Sequence, residues 1–145
     1  MKFVKIENQM SVWCSLSRLA RVTVIFLAVM IGCKDNATNP RFEPEITNAT
    51  DSFQFQVTNI RKISQTLRYT WQNTGTVANV NQSCSVSEGT AGLTIHDGAG
   101  LQVYSRNLSD NGTFVTSAGT AGNWTIQVVL SNCSGTLNFR VQKGG

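Results

Sequence analysis

The sequence predicts an all-β fold for residues 52–145: an antiparallel β-sandwich of about eight strands, with a jelly-roll-like or similar strand order. Two observations predict this fold. Apolar residues recur at every second position, which is the period of a strand with one buried and one solvated face. Clusters of Gly and Asn interrupt the alternation about every 8–12 residues, a spacing typical of the turns in a sandwich.

The first half of this domain predicts strands separated by turns at residues 73–75 and 88–89. A short strand is expected between them at residues 77–80. The alternation places one set of side chains on the inward face: Phe53, Phe55, Val57, Leu67, Tyr69, Trp71 and Val86.

The second half follows the same pattern, and residues 97–100 carry a tight hairpin signal. Further turns are expected at residues 110–112, 119–122 and 131–135. The apolar positions that we expect to face inward are Leu93, Ile95, Val103, Phe114, Trp124, Ile126, Val128, Leu130, Leu137, Phe139 and Val141.

Tyr104 is out of phase with this pattern. It directly follows Val103, and neighbouring residues on a strand point to opposite faces. We therefore expect Tyr104 to face outward, and it is the candidate residue for a surface contact. Trp71 and Trp124 share the phase of Leu67 and Ile126, so we expect both in the core.

The closing segments are Gly122-Asn123-Trp124-Thr125-Ile126 and Gly135-Thr136-Leu137-Asn138-Phe139. Together they resemble the ending of jelly-roll and pre-peptidase C-terminal-like modules. The resemblance covers about 25 residues and implies a sandwich fold.

The first 32 residues differ from the rest. Four basic residues precede an almost wholly apolar stretch at residues 22–32. As a helix this stretch would rise about 16 Å, well short of the roughly 30 Å hydrocarbon core of a bilayer. A basic start followed by a short apolar helix predicts a cleaved secretory signal segment. Either Met1 or Met10 is compatible with its beginning.

The end of this segment, Met30-Ile31-Gly32-Cys33, resembles the lipobox of bacterial lipoproteins. The resemblance implies cleavage between Gly32 and Cys33 and attachment of diacylglyceryl, with fatty acids such as palmitate, to the Cys33 thiol. It therefore implies a bacterial cell-envelope protein that is anchored to a membrane, in a Gram-negative cell to the outer membrane or cell surface. Residues 33–51 are largely polar and predict a flexible tether between lipid and domain.

Cys84 and Cys133 remain in the mature domain. Export places them in an oxidising compartment, where a pair of cysteines predicts a disulfide. A two-cysteine metal site would need further ligands, but His96 is the only histidine and no Cys-x-x-Cys occurs. We therefore expect no metal site and no cofactor.

The charge pattern gives no sign of a nucleic-acid partner. Eight basic and seven acidic residues follow residue 32, and the basic ones are not clustered. His96 and Asp97 are adjacent, but neighbours on a strand diverge, so they do not form a catalytic pair.

These features predict a lipid-anchored, non-catalytic envelope module that serves binding, adhesion or structure. Its partners would be the membrane, through Cys33, and an envelope protein or glycan. An alternative is an accessory carbohydrate- or peptide-binding module that serves a partner enzyme. A third hypothesis is a small hydrolase that uses Glu88, Asp97 or Asp110.

Overall fold

The structure is a computed structural model, and it describes residues 42–145. The predicted signal segment, the lipid site at Cys33 and the tether up to residue 41 lie outside the described residues. The described part is built of strands, which in chain order are β1 (Glu45–Ala49), β2 (Ser52–Asn73), β3 (Ala78–Gln82), β4 (Ser85–His96), β5 (Gln102–Asn107), β6 (Gly112–Val115) and β7 (Gly122–Lys143).

All seven strands join one antiparallel sheet, and β7 lies at its centre. One edge of β7 pairs with β2 over nearly the whole length of both strands, and its other edge pairs with β3 and with β4. β1 extends the sheet beyond β2, β6 beyond β3, and β5 beyond β4. The predicted all-β antiparallel fold is confirmed, with seven strands where the sequence predicts about eight.

The sheet folds over on itself because β2 bends near its middle. The rings of Phe53 and Tyr69, from opposite ends of β2, have centroids only 5.4 Å apart. Just before β2, the Asp51 N–H donates to the carbonyl of Gln72 near its end, at 2.9 Å. Two layers result, with the core between them.

The first half-sheet contains β1, β3 and β6 together with residues 52–57 of β2 and 137–143 of β7. The second half-sheet contains β4 and β5 together with residues 65–73 of β2 and 122–130 of β7.

Bulges make the bend possible. The register between β2 and β7 shifts three times between Val57 and Gln65. Asn59, Lys62 and Asn132 adopt positive φ values of 54°, 50° and 47° at this bend. Gly135 has φ 139°, and a Cβ there would collide with the Ser85 carbonyl. A residue without a Cβ is therefore needed where β4 crosses the bent part of β7.

The core is apolar and rich in aromatic rings. Trp71 and Trp124 are register partners on β2 and β7, and their rings meet edge-on at 5.9 Å. Phe55 stacks on Phe139 at 5.1 Å in the first half-sheet. The alternation read from the sequence is confirmed at these fully or almost fully buried positions: Phe53, Phe55, Val57, Leu93, Ile95, Val103, Ile126, Val128, Leu130, Leu137, Phe139 and Val141.

The folded domain begins earlier than the sequence indicates. We predict a tether through residue 51, but Glu45–Ala49 forms β1 and pairs with β2. All five β1 residues are exposed. They carry no alternation of buried and solvated residues, which is the signal that identifies the other strands.

Two predicted turns are wrong. Residues 88–89 lie inside β4 and residues 131–135 lie inside β7. Both segments carry bulges where the two strands pair with each other. Gly and Asn at positive φ occur in bulges as well as in hairpin turns, so composition alone does not separate the two.

Candidate binding surfaces

Tyr104, the residue predicted to make a surface contact, is buried. Only 6% of its surface is exposed, and Val103 beside it is buried as well. The reason is a bulge: Ile95 pairs with Tyr104 and His96 pairs with Gln102, so Val103 is an extra residue without a partner. Strict alternation fails at such a bulge, and both neighbours point inward.

The buried Tyr104 anchors a hydrogen-bond network between the two layers. Its hydroxyl donates to Gln82 Oε1 at 2.6 Å, and the Gln82 amide donates to the carbonyls of Asn107 and Asp110. Burial raises the pKa of Tyr104 to about 12. The hydroxyl is therefore a structural donor that ties β5 to β3.

The same side of the sandwich is covered by an aromatic and cationic contact. Phe114 on β6 lies 6.4 Å from the Tyr104 ring, between centroids. The Arg106 guanidinium carbon lies 4.2 Å from the Phe114 ring centroid. We call the side where β5 meets β6 the closed side.

Asp97 is buried and fully occupied by backbone donors. Its carboxylate accepts N–H bonds from Ala99 and Leu101 within its own hairpin, and from Thr120 in the loop before β7 at 2.7 Å. The Thr120 bond is the main cause that lowers the pKa of Asp97. This carboxylate holds two loops together.

The other acids named for the hydrolase hypothesis lie elsewhere. Glu88 accepts a bond from the Ser134 hydroxyl at the bend, at 3.2 Å. Asp110 belongs to the turn before β6, and His96 ends β4. The structure thus assigns Glu88, Asp97 and Asp110 to three different places. Within residues 42–145 no group of three metal-ligating side chains comes together.

Cys84 and Cys133 are both buried and are separate thiols in the structure. Cys84 lies in the kink between β3 and β4, and its sulfur is 3.3 Å from both the N and the O of Asn138. Cys133 pairs with Ile63 at the bend. Burial is the main cause that raises the pKa of each thiol. The disulfide between them stays a prediction.

Asn111 completes the kink at Cys84. Its side-chain amide accepts from the Cys84 N–H at 2.6 Å and donates to the Cys84 carbonyl at 2.9 Å. The amide therefore satisfies the backbone N–H and C=O groups of Cys84, which lies between the end of β3 and the start of β4.

The outer surface of the first half-sheet is dense in amides. One row crosses all five strands through the register partners Thr47, Gln54, Arg140, Asn81 and Thr113. Within it Arg140 donates to Gln54 Oε1 at 3.2 Å and Asn81 donates to Thr113 Oγ1 at 2.8 Å.

The neighbouring rows add further amides at Gln56, Asn138, Asn79 and Gln142. We call this surface the amide face. Sequence alternation identifies its members as outward, but only the strand order shows that they lie side by side.

A second surface lies where β2 has no neighbour on one edge. The carbonyls of Thr70 and Gln72 point away from β7, because the Asn48 amide and the Asp51 N–H donate to them. The register between residues 65 and 73 is regular, so Thr66 and Arg68 point their N–H and C=O groups the same way. Among the described residues no strand pairs with this edge.

The side chains beside this edge are apolar and half-buried. Leu67 and Tyr69 pack against the core from β2, together with Ile63 and Phe42. The Tyr69 ring touches Phe53 and also lies 6.1 Å from the Phe55 ring, between centroids. The open side is the name we use for the side of the sandwich where residues 65–73 of β2 lie close to β1.

Charge is unevenly distributed between the strands. β2 and β7 contain no acidic residue and carry five of the cations: Arg61, Lys62, Arg68, Arg140 and Lys143. Lys143 forms an ion pair with Asp51 at 3.6 Å, the one ion pair recorded within residues 42–145. Arg68, an exposed residue on the outward phase of β2 at the open side, takes part in no ion pair recorded within residues 42–145.

Comparison with models of protein families gave no match, and no curated protein matches the chain. Helices able to cross a membrane are absent from residues 42–145.

Proposed function

We propose that this chain is a lipid-anchored, non-catalytic module of the bacterial cell envelope whose folded domain works by binding. The anchor part is supported by the lipobox-like Met30-Ile31-Gly32-Cys33 sequence and the polar residues that follow it. More than one acyl chain at Cys33 would hold the protein stably at a membrane, whereas one chain alone is marginal.

The non-catalytic part is supported by what the reactive groups do. The Asp97 carboxylate accepts hydrogen bonds from three backbone N–H groups, the Tyr104 hydroxyl donates to Gln82, and Glu88 accepts from the Ser134 hydroxyl. Each of these groups acts on its own chain and holds loops or layers in place.

The observation that carries the binding part is the amide face. A side-chain amide offers both a donor and acceptors, as does a hydroxyl group. Strands spaced about 4.8 Å apart place these amides in a regular, rigid array. A hydroxyl-rich polymer matches such an array, so the face specifically favours the accessory carbohydrate-binding hypothesis.

The anchor is tested by the intact mass of protein extracted from the membrane fraction, before and after reduction. We expect the mass of residues 33–145 plus diacyl or triacyl lipid, and a gain of two hydrogens on reduction if Cys84 and Cys133 are bonded. A mass without lipid, or one that retains residues 1–32, would overturn the anchor.

The binding part is tested by co-sedimentation of the full chain, in detergent, with insoluble cell-wall polysaccharide. We expect the double variant Gln54→Ala, Asn81→Ala to lose binding. The matched control is Gln127→Ala, which removes an outward amide from the second half-sheet, where Gln127 pairs with Arg68 and Thr94. Equal losses in both variants would contradict the assignment of the amide face.

A catalytic function has its own test. Turnover of ester, glycoside or peptide substrates that disappears in Glu88→Ala, Asp97→Ala or Asp110→Ala would overturn the non-catalytic part. Those variants must retain the wild-type fold by circular dichroism.

A further inference from the structure

We propose that the open side of the sandwich binds an extended, acidic peptide segment of a partner protein, which adds a strand to the free edge of β2. This inference is independent of the amide face, which lies on the other half-sheet. It adds a second binding site to the proposed module.

The first argument comes from the backbone. Thr66 and Arg68 direct two N–H and two C=O groups to the open side, where no described strand pairs with them. An extended peptide satisfies such groups by forming the next rung of the ladder. The Asn48 amide caps the carbonyl of Thr70, so the free stretch ends there.

The second argument comes from the side chains. In an added strand alternate residues point inward, and those residues would rest on the half-buried apolar groups at this edge. Leu67 and Tyr69 lie on β2 itself, and Ile46 on β1 is 36% exposed on the same side. The site therefore favours apolar residues at every second position of the peptide.

The third argument comes from charge. Arg61, Lys62 and Arg68 belong to β2, and no Asp or Glu occurs from residue 52 to residue 87. Arg68 is exposed and points outward, beside the free backbone groups. An acidic residue among the outward positions of the peptide would pair with it.

Charge also argues against a second copy of this chain as the occupant. Antiparallel pairing of two β2 edges centred on their free groups would place the Arg68 residues of the two copies near one another. Like charges on facing strands are destabilising. A heterologous acidic strand avoids this repulsion.

The test uses the full chain in detergent and a synthetic peptide of about eight residues that alternates valine with aspartate and threonine. A second peptide carries lysine in place of aspartate, and a third has the same composition as the first in a non-alternating order. Titration calorimetry measures binding. We expect the acidic alternating peptide to bind at least about tenfold more tightly than either control peptide.

The key variant is Thr66→Pro. The Thr66 N–H points away from β7, so proline removes a donor from the free edge without removing a bond from the β2–β7 ladder. Thr66→Val is the matched control, because it changes the same outward side chain and keeps the N–H. We expect the first variant to lose at least about tenfold in affinity and the second to retain it.

Charge reversal separates this site from the amide face. Arg68→Glu should abolish preference for the acidic peptide, and Arg140→Glu should leave it unchanged. Three results would overturn the proposal. The first is the reverse dependence on the two arginine variants, and the second is an equal loss of affinity in Thr66→Pro and Thr66→Val. The third is a Thr66-dependent dimer in sedimentation analysis, with no peptide binding. None of these results bears on the lipid anchor or on polysaccharide binding, which have their own variants.

Discussion

The two sides of the sandwich are built differently. On the closed side, the Tyr104 hydroxyl bonds to Gln82, the Phe114 ring packs beside the Tyr104 ring, and the Arg106 guanidinium lies over the Phe114 ring. On the open side, Tyr69 packs against Phe53 but stays half-buried, and the β2 edge beside it carries free backbone groups. Two tyrosines on inward-facing positions thus have different roles: one closes the core and the other borders a surface.

The difference follows from how each edge is completed. The bulge at Val103 adds a residue to β5 and turns Tyr104 into the core. No bulge interrupts residues 65–73 of β2, so Leu67 and Tyr69 keep regular alternation up to an edge that no described strand covers. A single extra residue is enough to convert an outward position into a structural one.

The largest expected contrast comes from truncating each tyrosine. Tyr104→Ala should lower the free energy of unfolding by about 3–5 kcal/mol, because it empties a buried site and leaves Gln82 Oε1 without its donor. Tyr69→Ala should cost about half as much, since its ring is only partly buried. Urea denaturation monitored by circular dichroism measures both. Equal costs would show that the two sides are equally well packed.

Removal of the hydroxyl alone sharpens the contrast. Tyr104→Phe should cost about 1–3 kcal/mol, because Gln82 Oε1 would stay buried without its donor. Tyr69→Phe should change stability by less than about 0.5 kcal/mol, as is usual for a surface substitution. The same denaturation experiment compares them. A cost for Tyr69→Phe as large as that for Tyr104→Phe would contradict the open character of its side.

A smaller contrast involves two side-chain amides. Asn111→Asp removes the donor to the Cys84 carbonyl and places a second acceptor there, so we expect a loss of about 1 kcal/mol. Asn48→Asp removes the donor to the Thr70 carbonyl on the exposed open side, and about 0.5 kcal/mol is expected. Thermal melts of the two variants distinguish these values. A larger loss for Asn48→Asp than for Asn111→Asp would contradict this prediction, because the amide on the open side would then contribute more to stability than the amide at Cys84.

The smallest expected effect is a pH dependence. The Thr120 backbone N–H lowers the pKa of Asp97 below its usual 3.8. Its contribution to stability is therefore complete above pH 3.8 and is lost as the pH falls through the lower folded-state value. We expect Asp97→Asn to be less stable at neutral pH and to lose less stability on acidification. Urea midpoints of the wild type and the variant, measured at several acidic pH values, test this prediction. If this carboxylate had no part in acid unfolding, the midpoint would fall with pH equally steeply in both proteins.

Much of the fold could be predicted from the sequence because burial repeats along it. The alternation from Phe53 to Val57 and from Trp124 to Leu130 identifies inward residues correctly. The sequence could not show β1, whose residues are all exposed, nor the bulges that continue β4 and β7 through residues 88–89 and 131–135.

The candidate sites were harder to predict. Tyr104 is misassigned because a bulge cannot be distinguished from regular strand in the sequence. The amide face depends on which strands are neighbours: Gln54, Arg140 and Asn81 are far apart in the chain and adjacent in the sheet. The free edge of β2 depends on the direction of backbone groups, which side-chain composition does not report.

The position of β7 has a consequence for biogenesis. This strand follows the other six in the chain, yet it pairs with β2, β3 and β4 and supplies buried residues to both half-sheets. During synthesis from the N-terminus, neither layer can be completed until residues 122–143 have emerged. The domain therefore cannot complete its fold while it is still being translated, and its last strand is the one that joins both layers.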